Sequence, residues 1–263
     1  MYFFLNNSAL PLLGLIAPKR IVSLVPSQTE LLFHLGLENE VAGITKFCIH
    51  PAHWRSSKTI VGGTKKLHLK KIEQLSPDLI IANKEENEQS QIEDLSHIAP
   101  VCVTDINNLQ DAFTMILQLG TICNKADPAN KLVKQIQQKF AQIVPITPAL
   151  KTVYFIWNRP FMVAASNTFI NEMLMQCGFE NVFADLNRYP EVSAEQIKAA
   201  QPQLILLSSE PYPFKAEHVQ YFQQLIPSAL ILQVDGEMFS WYGSRLLQSA
   251  PYFQALIHQI QKK

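Results

Sequence analysis

The sequence predicts an α/β chain of two similar lobes joined by one long helix, and three observations carry that prediction. Short apolar runs alternate with segments of helical periodicity, the order that builds a parallel sheet layered with helices. Residues 72–82 (IEQLSPDLIIA) and 197–207 (IKAAQPQLILL) repeat one unit of helix, proline-centred turn and apolar strand, each followed by a polar, glutamate-bearing segment. Between the copies, Asp127-Pro128 supplies a helix start, behind which Leu132, Val133, Ile136, Phe140 and Ile143 follow a 3–4 spacing. That spacing makes an amphipathic helix of about 17 residues, roughly 25 Å long, closed by Pro145 and Pro148. The expected organisation is an N-terminal α/β lobe over 1–124, a connecting helix over 125–147 and a C-terminal α/β lobe over 148–263.

Each element has its own warrant. Residues 21–25 (IVSLV) read as a buried parallel strand closed by Pro26. Ser27-Gln28-Thr29-Glu30 then opens a helix carrying Leu31, Leu32, Phe33 and Leu35, which stops at Gly36. Residues 41–44 form a second strand, followed by a loop of unusual composition, Lys46-Phe47-Cys48-Ile49-His50-Pro51, that runs to His53 and Trp54. Residues 59–61 and Gly62-Gly63 make a strand and turn; Leu69, Ile72 and Leu75 recur at helical spacing, and Ser76-Pro77-Asp78 ends that helix before a strand at 79–82. A polar run at 83–91 opens a helix bearing Ile92 and Leu95, then come a strand at 101–103 and a helix from about 109 to 123. In the second half a strand at 153–157, helices at 167–178 and 195–200, and a strand at 204–207 repeat the alternation.

Composition excludes several functions. With 22 Lys+Arg against 22 Asp+Glu there is no basic field to draw in a nucleic acid. Nearly half the residues are hydrophobic, which excludes a disordered chain. Neither G-x-G-x-x-G nor G-x-x-x-x-G-K-[ST] occurs among the 9 glycines, so dinucleotide and P-loop sites lack support. A G-x-S-x-G elbow is missing too, and no catalytic residue is assigned: the chain reads as a non-enzymatic protein. Cys48, Cys102, Cys123 and Cys177 stand far apart without a C-x-x-C pair and read as isolated core thiols. Residues 1–15 lack a basic start and a small-residue cleavage site, so no export leader is read there, and a cytoplasmic location stays open.

Three groups of residues point to binding. Phe47, Trp54, Trp157, Phe161, Tyr189, Phe239, Trp241 and Tyr242 all lie near strand ends or turns, the edge where open α/β sheets bind ligands. Aromatic faces with a few polar groups suit a large, flat, partly apolar molecule. Of seven histidines only His50 and His53, beside Cys48, cluster locally; they read either as loop imidazoles or as ligands to a metal carried by a macrocycle. Glu85, Glu86 and Glu88 after one repeated strand, and Glu210 after the other, read either as solvated charge or as two acidic spots for arginines of a partner.

Over residues 19–30 (KRIVSLVPSQTE) the chain resembles the class III periplasmic substrate-binding proteins, receptors for vitamin B12, haem and ferric siderophores also grouped as helical-backbone metal receptors. The resemblance continues through 46–51 (KFCIHP), 61–64 (VGGT), 76–87 (SPDLIIANKEEN), 177–183 (CGFENVF) and 208–214 (SSEPYPF), and is nearest to the vitamin B12-binding branch. It implies two Rossmann-like lobes on one backbone helix, and a corrinoid captured between them and delivered to the permease and ATPase of an ABC importer. It further implies a periplasmic location, a monomer, no intrinsic cofactor, and a metal-containing cargo. By that resemblance Pro26, Ser27, Thr29, Phe47, Trp157, Phe161, Tyr189, Trp241 and Arg245 contact the ligand, and Glu85, Glu86 and Glu210 dock on the permease. Thr64 and Asn83 depart from the branch, where tryptophans are expected, and Cys48 and His50 add potential ligands to a metal in the cargo. Haem or a ferric siderophore therefore remains an alternative cargo, and an intracellular tetrapyrrole-handling protein an alternative role.

Overall fold

The computed structural model describes residues 2–4 and 17–262, so the reading of residues 1–15 lies, apart from 2–4, outside the described residues. The chain divides into two compact units. One holds the described residues through Ile106 together with Gln110–Gln135 and Tyr242–Arg245; the other holds Asn107–Leu109, Ile136–Trp241 and the described residues from Leu246 on.

In the first unit the elements run β1 (Tyr2–Phe4), β2 (Ile21–Ser23), α1 (Pro26–His34), β3 (Val41–Ile44), α2 (Trp54–Ser57), β4 (Thr59–Ile60), α3 (Leu69–Gln74), β5 (Leu79–Asn83), α4 (Gln89–Leu95), β6 (Val101–Thr104) and α5 (Leu109–Ile122). Among the described residues the strands form one parallel sheet in the order β1-β6-β5-β2-β3-β4. β2, β5 and β6 are buried at every position, which is why their sequences are continuous apolar runs without alternation. Strand β1 was not expected from the sequence; it adds to the sheet edge beside β6.

Helix α6 (Ala126–Phe140) follows, with Asp127 in its first turn and Lys139 in its last, both favourable to the helix dipole. It is shorter than its apolar periodicity suggests. After Phe140 the chain tightens into i→i−3 bonds, Gln142 N–H to the Lys139 carbonyl at 3.2 Å and Ile143 N–H to the Phe140 carbonyl at 3.1 Å, before Pro145 forbids continuation.

The second unit runs β7 (Leu150–Trp157), β8 (Met162–Val163), α7 (Phe169–Gln176), β9 (Phe179–Asn181), α8 (Ala194–Ala200), β10 (Leu204–Ser208), α9 (Ala216–Leu225), β11 (Leu230–Val234), α10 (Gly236–Ser240) and α11 (Leu246–Gln261). Its sheet order is β11-β10-β7-β8, with β9 also on β7; β8 alone is antiparallel among the described strands. Phe155 anchors its core, 4.5 Å from Phe222 between ring centroids and 5.9 Å from Phe161. The sequence reading does not reach α9 to α11. In α11 the internal Pro251 reads as a breaker, yet the helix continues past it.

The repeat seen in the sequence is a repeat of geometry. Ser76 and Gln201, each just before the proline, adopt left-handed backbone with φ of 47° and 45°. The residue after each proline then clamps the start of a neighbouring strand. Asp78 N–H donates to the Arg20 carbonyl at 3.0 Å while its carboxylate accepts from the N–H groups of Lys19 and Arg20. Gln203 N–H donates to the Lys151 carbonyl at 2.7 Å while its Oε1 accepts from Lys151 N–H at 3.0 Å. One turn thereby sets the register of β5 on β2 and of β10 on β7.

Candidate functional site

In the first unit the expected binding residues sit at the carboxyl ends of the parallel strands. Pro26 opens α1 directly after β2, and Ser27 and Thr29 follow in its first turns, all buried. Thr29 is wholly enclosed: its hydroxyl donates to the Val25 carbonyl at 2.9 Å, and its oxygen shares a hydrogen bond with Ser23 Oγ at 2.7 Å. The loop after β3 presents Phe47, 50% exposed, with the Lys46 ammonium 5.0 Å from its ring centroid. Gly63 permits that ring position, since a Cβ there would stand 3.2 Å from Phe47 Cε2.

Next to it Cys48 is fully buried, its sulfur 3.1 Å from Thr29 Oγ1 and 3.2 Å from Thr45 Oγ1, and burial pushes its thiol up from the ordinary value. This corrects the expectation that Cys48 offers sulfur to a cargo metal: a protonated, enclosed thiol is a core group. His50 is half-buried. Among the described residues no group of three or more His, Cys, Asp or Glu side chains is arranged to hold a metal ion. All four cysteines are free and buried.

Asn83 and Thr64, where the resemblance led us to expect tryptophans, organise the acidic loop after β5. Asn83 Oδ1 accepts from the N–H groups of Glu85 at 2.8 Å and Glu86 at 3.2 Å, and its Nδ2 donates to the Thr104 carbonyl at 3.0 Å. Asn87 Oδ1 accepts from Asn83 N–H at 2.9 Å and Asn87 Nδ2 donates to the Thr64 carbonyl at 3.0 Å. Glu85 and Glu86 are half-buried on this built loop.

Arg245 is 6% exposed and pairs with Glu30 of α1. Gly243, at φ 108°, brings this short segment against α1, where a Cβ would lie 3.3 Å from Leu31 Cβ.

In the second unit Trp157 and Phe161 line one open concavity of about 720 Å³, shared with Asn158, Arg159, Tyr212, Glu217, His218 and Tyr221. Trp157 is 39% exposed and lies edge-on to Tyr212 at 5.5 Å. Tyr189 is half-buried outside that lining. Trp241 is buried, its indole N–H donating to Glu210 Oε1 at 2.8 Å, and Ser240 Oγ donates to the same oxygen at 2.9 Å. Burial raises the Glu210 carboxyl above the usual range although both bonds oppose it. One oxygen of its carboxylate is thus engaged within its own unit, and the residue is half-buried. Tyr212, Asn158, Arg159, His218 and Tyr221 were missed as site residues; the signal for Tyr212 stood inside the SSEPYPF motif.

Parallel-sheet units presenting aromatic rings and polar loops at their strand ends define a small-molecule binding protein of open α/β type. The chain belongs to the periplasmic binding protein family, whose profile matches residues 21–226. It is 27% identical over 240 residues to the vitamin B12-binding protein of Pectobacterium carotovorum subsp. carotovorum (strain PC1), covering 89% of this chain and 86% of that one. In fold it is similar to the periplasmic vitamin B12 binding protein BtuF of Vibrio cholerae, with a TM-score of 0.74 and 22% identity over 94% of this chain and 99% of that one. It is also similar to the periplasmic heme binding protein HutB of Vibrio cholerae, with a TM-score of 0.78 and 23% identity over 91% and 98% of the two chains. No helix among the described residues is long and apolar enough to cross a membrane.

Proposed function

We propose that this chain is the substrate-binding component of an ABC importer, with a corrinoid as cargo and the periplasm as its place of work. The observation that carries the reading is an exposed aromatic ring at a strand end in each unit, Phe47 at 50% exposure in the first and Trp157 at 39% in the second, where Trp157 lines a concavity of about 720 Å³. Phe47, Trp157, Phe161 and Tyr189 are proposed as its contacts, with Pro26 and Ser27 shaping the turn into α1. Thr29 steadies the Phe47 loop through Cys48, Trp241 holds Glu210, and Arg245 holds α1 through Glu30. The vitamin B12-binding names of the curated relatives support this cargo. Docking on the permease is proposed through Glu85 and Glu86, and through Glu210 only where the permease displaces Ser240 and Trp241 from its carboxylate. Adding cyanocobalamin to the purified chain should quench its tryptophan fluorescence saturably; fluorescence that tracks only the absorbance of the added corrinoid overturns the corrinoid reading.

Haem or a ferric siderophore is the second reading, favoured by His50 in the loop that carries Phe47 and by the fold shared with heme-binding HutB. Haemin would then show a Soret shift that His50→Ala removes.

A further inference from the structure

Tyr212 lines the concavity of the second unit, and its hydroxyl is held by two donors. His218 is buried, and its Nδ1 accepts the Lys215 backbone N–H at 2.8 Å. A neutral imidazole whose Nδ1 accepts carries its proton on Nε2. That Nε2 lies 3.0 Å from the Tyr212 hydroxyl oxygen, so it donates there, and Glu217 Oε1 at 3.9 Å favours a proton in that position. Asn158 Nδ2 donates to the same oxygen at 3.3 Å. A phenol oxygen has two acceptor sites and one proton. With both acceptor sites engaged, the Tyr212 proton is left to be given away.

We infer that Tyr212 is a specificity-determining hydrogen-bond donor to an sp² oxygen of the cargo, an amide carbonyl or a carboxylate, within an aromatic surface made by Trp157, Phe161 and Tyr221. The inference rests on the binding function proposed above and adds the polar selection that flat ring contacts lack. Stacking surfaces accept any planar molecule, whereas a fixed donor leaves an unpaired group against a cargo with no acceptor in reach. Arg159 and Glu217, both exposed on the same lining, place one charge of each sign nearby, so neither an amide carbonyl nor a carboxylate is selected by net charge.

The test is a calorimetric titration of the full chain with cyanocobalamin, whose peripheral groups are amides, and in parallel with haemin, whose peripheral groups are carboxylates. Tyr212→Phe should weaken whichever ligand binds by about 5- to 10-fold, the loss of one net hydrogen bond. Asn158→Asp keeps the ring and its packing but turns a donor into an acceptor that captures the phenol proton; it should weaken binding by a similar factor. Wild-type binding with both variants within twofold of it overturns the inference and leaves the binding function standing. Wild-type binding of neither ligand overturns both.

Discussion

Arg245 meets Glu30 across 215 residues of chain at two points, Nη2 to Oε1 at 2.9 Å and Nε to Oε2 at 3.1 Å, with both side chains largely out of solvent. One hydrogen bond, from Nε, and a close ion-pair contact at Nη2 fasten Tyr242–Arg245 to α1 inside the first unit. Removing one partner strands a buried charge, so Arg245→Met should cost about 3–5 kcal/mol of stability. Glu30→Gln combined with Arg245→Met removes both charges and should recover a substantial part of that loss. Denaturant unfolding of the two variants checks this; equal stability of Arg245→Met and wild type would show the pair to be inert.

Glu210 gives a pH-dependent expectation. In the unfolded chain its carboxyl titrates near the ordinary glutamate value of about 4.3, and in the folded chain burial holds it higher. The folded state therefore binds more protons across the window between the two values, and stability falls as pH rises through it. Glu210→Gln keeps an acceptor for Trp241 and Ser240 but never ionises. Its stability relative to wild type should rise between pH 4 and pH 7 in urea titrations. A difference that does not change with pH would mean the carboxyl is not perturbed.

Binding and folding should separate at the exposed rings. Phe47 and Trp157 are 50% and 39% exposed, so Phe47→Ala and Trp157→Ala lose only part of a ring's buried area and should each cost about 1–3 kcal/mol of stability, less than truncating a fully buried aromatic. Aromatic contacts covered by a ligand are typical hot spots, and each change should weaken cargo binding by about tenfold or more. Parallel unfolding and binding measurements decide it, and unchanged affinity in both variants would remove these rings from the site.

The α/β order was legible because β2, β5, β6 and β10 are buried on both faces and so appear as bare apolar runs. The repeat was legible because Ser76-Pro77 and Gln201-Pro202 carry the same turn in both copies. The ends of the chain were not. β1 is a three-residue edge strand, too short to show a period, and α11 hides behind Pro251. At the candidate site, Phe47 and Trp157 are exposed and Phe161 half-buried, as their places at or just beyond strand ends led us to expect, and their part in binding is a proposal. Partnership was invisible: nothing local to Cys48 foretells Thr29 and Thr45 around its sulfur, nor does anything near Arg245 announce Glu30. Tyr212 depends on His218, six residues on at the start of α9, and that helix was not read from the sequence.

Whether the proposed corrinoid is the cargo is decided by equilibrium dialysis of the purified chain against radiolabelled cyanocobalamin. The expected result is saturable retention of one corrinoid per chain at micromolar or lower free ligand, competed by unlabelled cyanocobalamin. Equal label on both sides of the membrane at every concentration, with haemin retained instead, would contradict it.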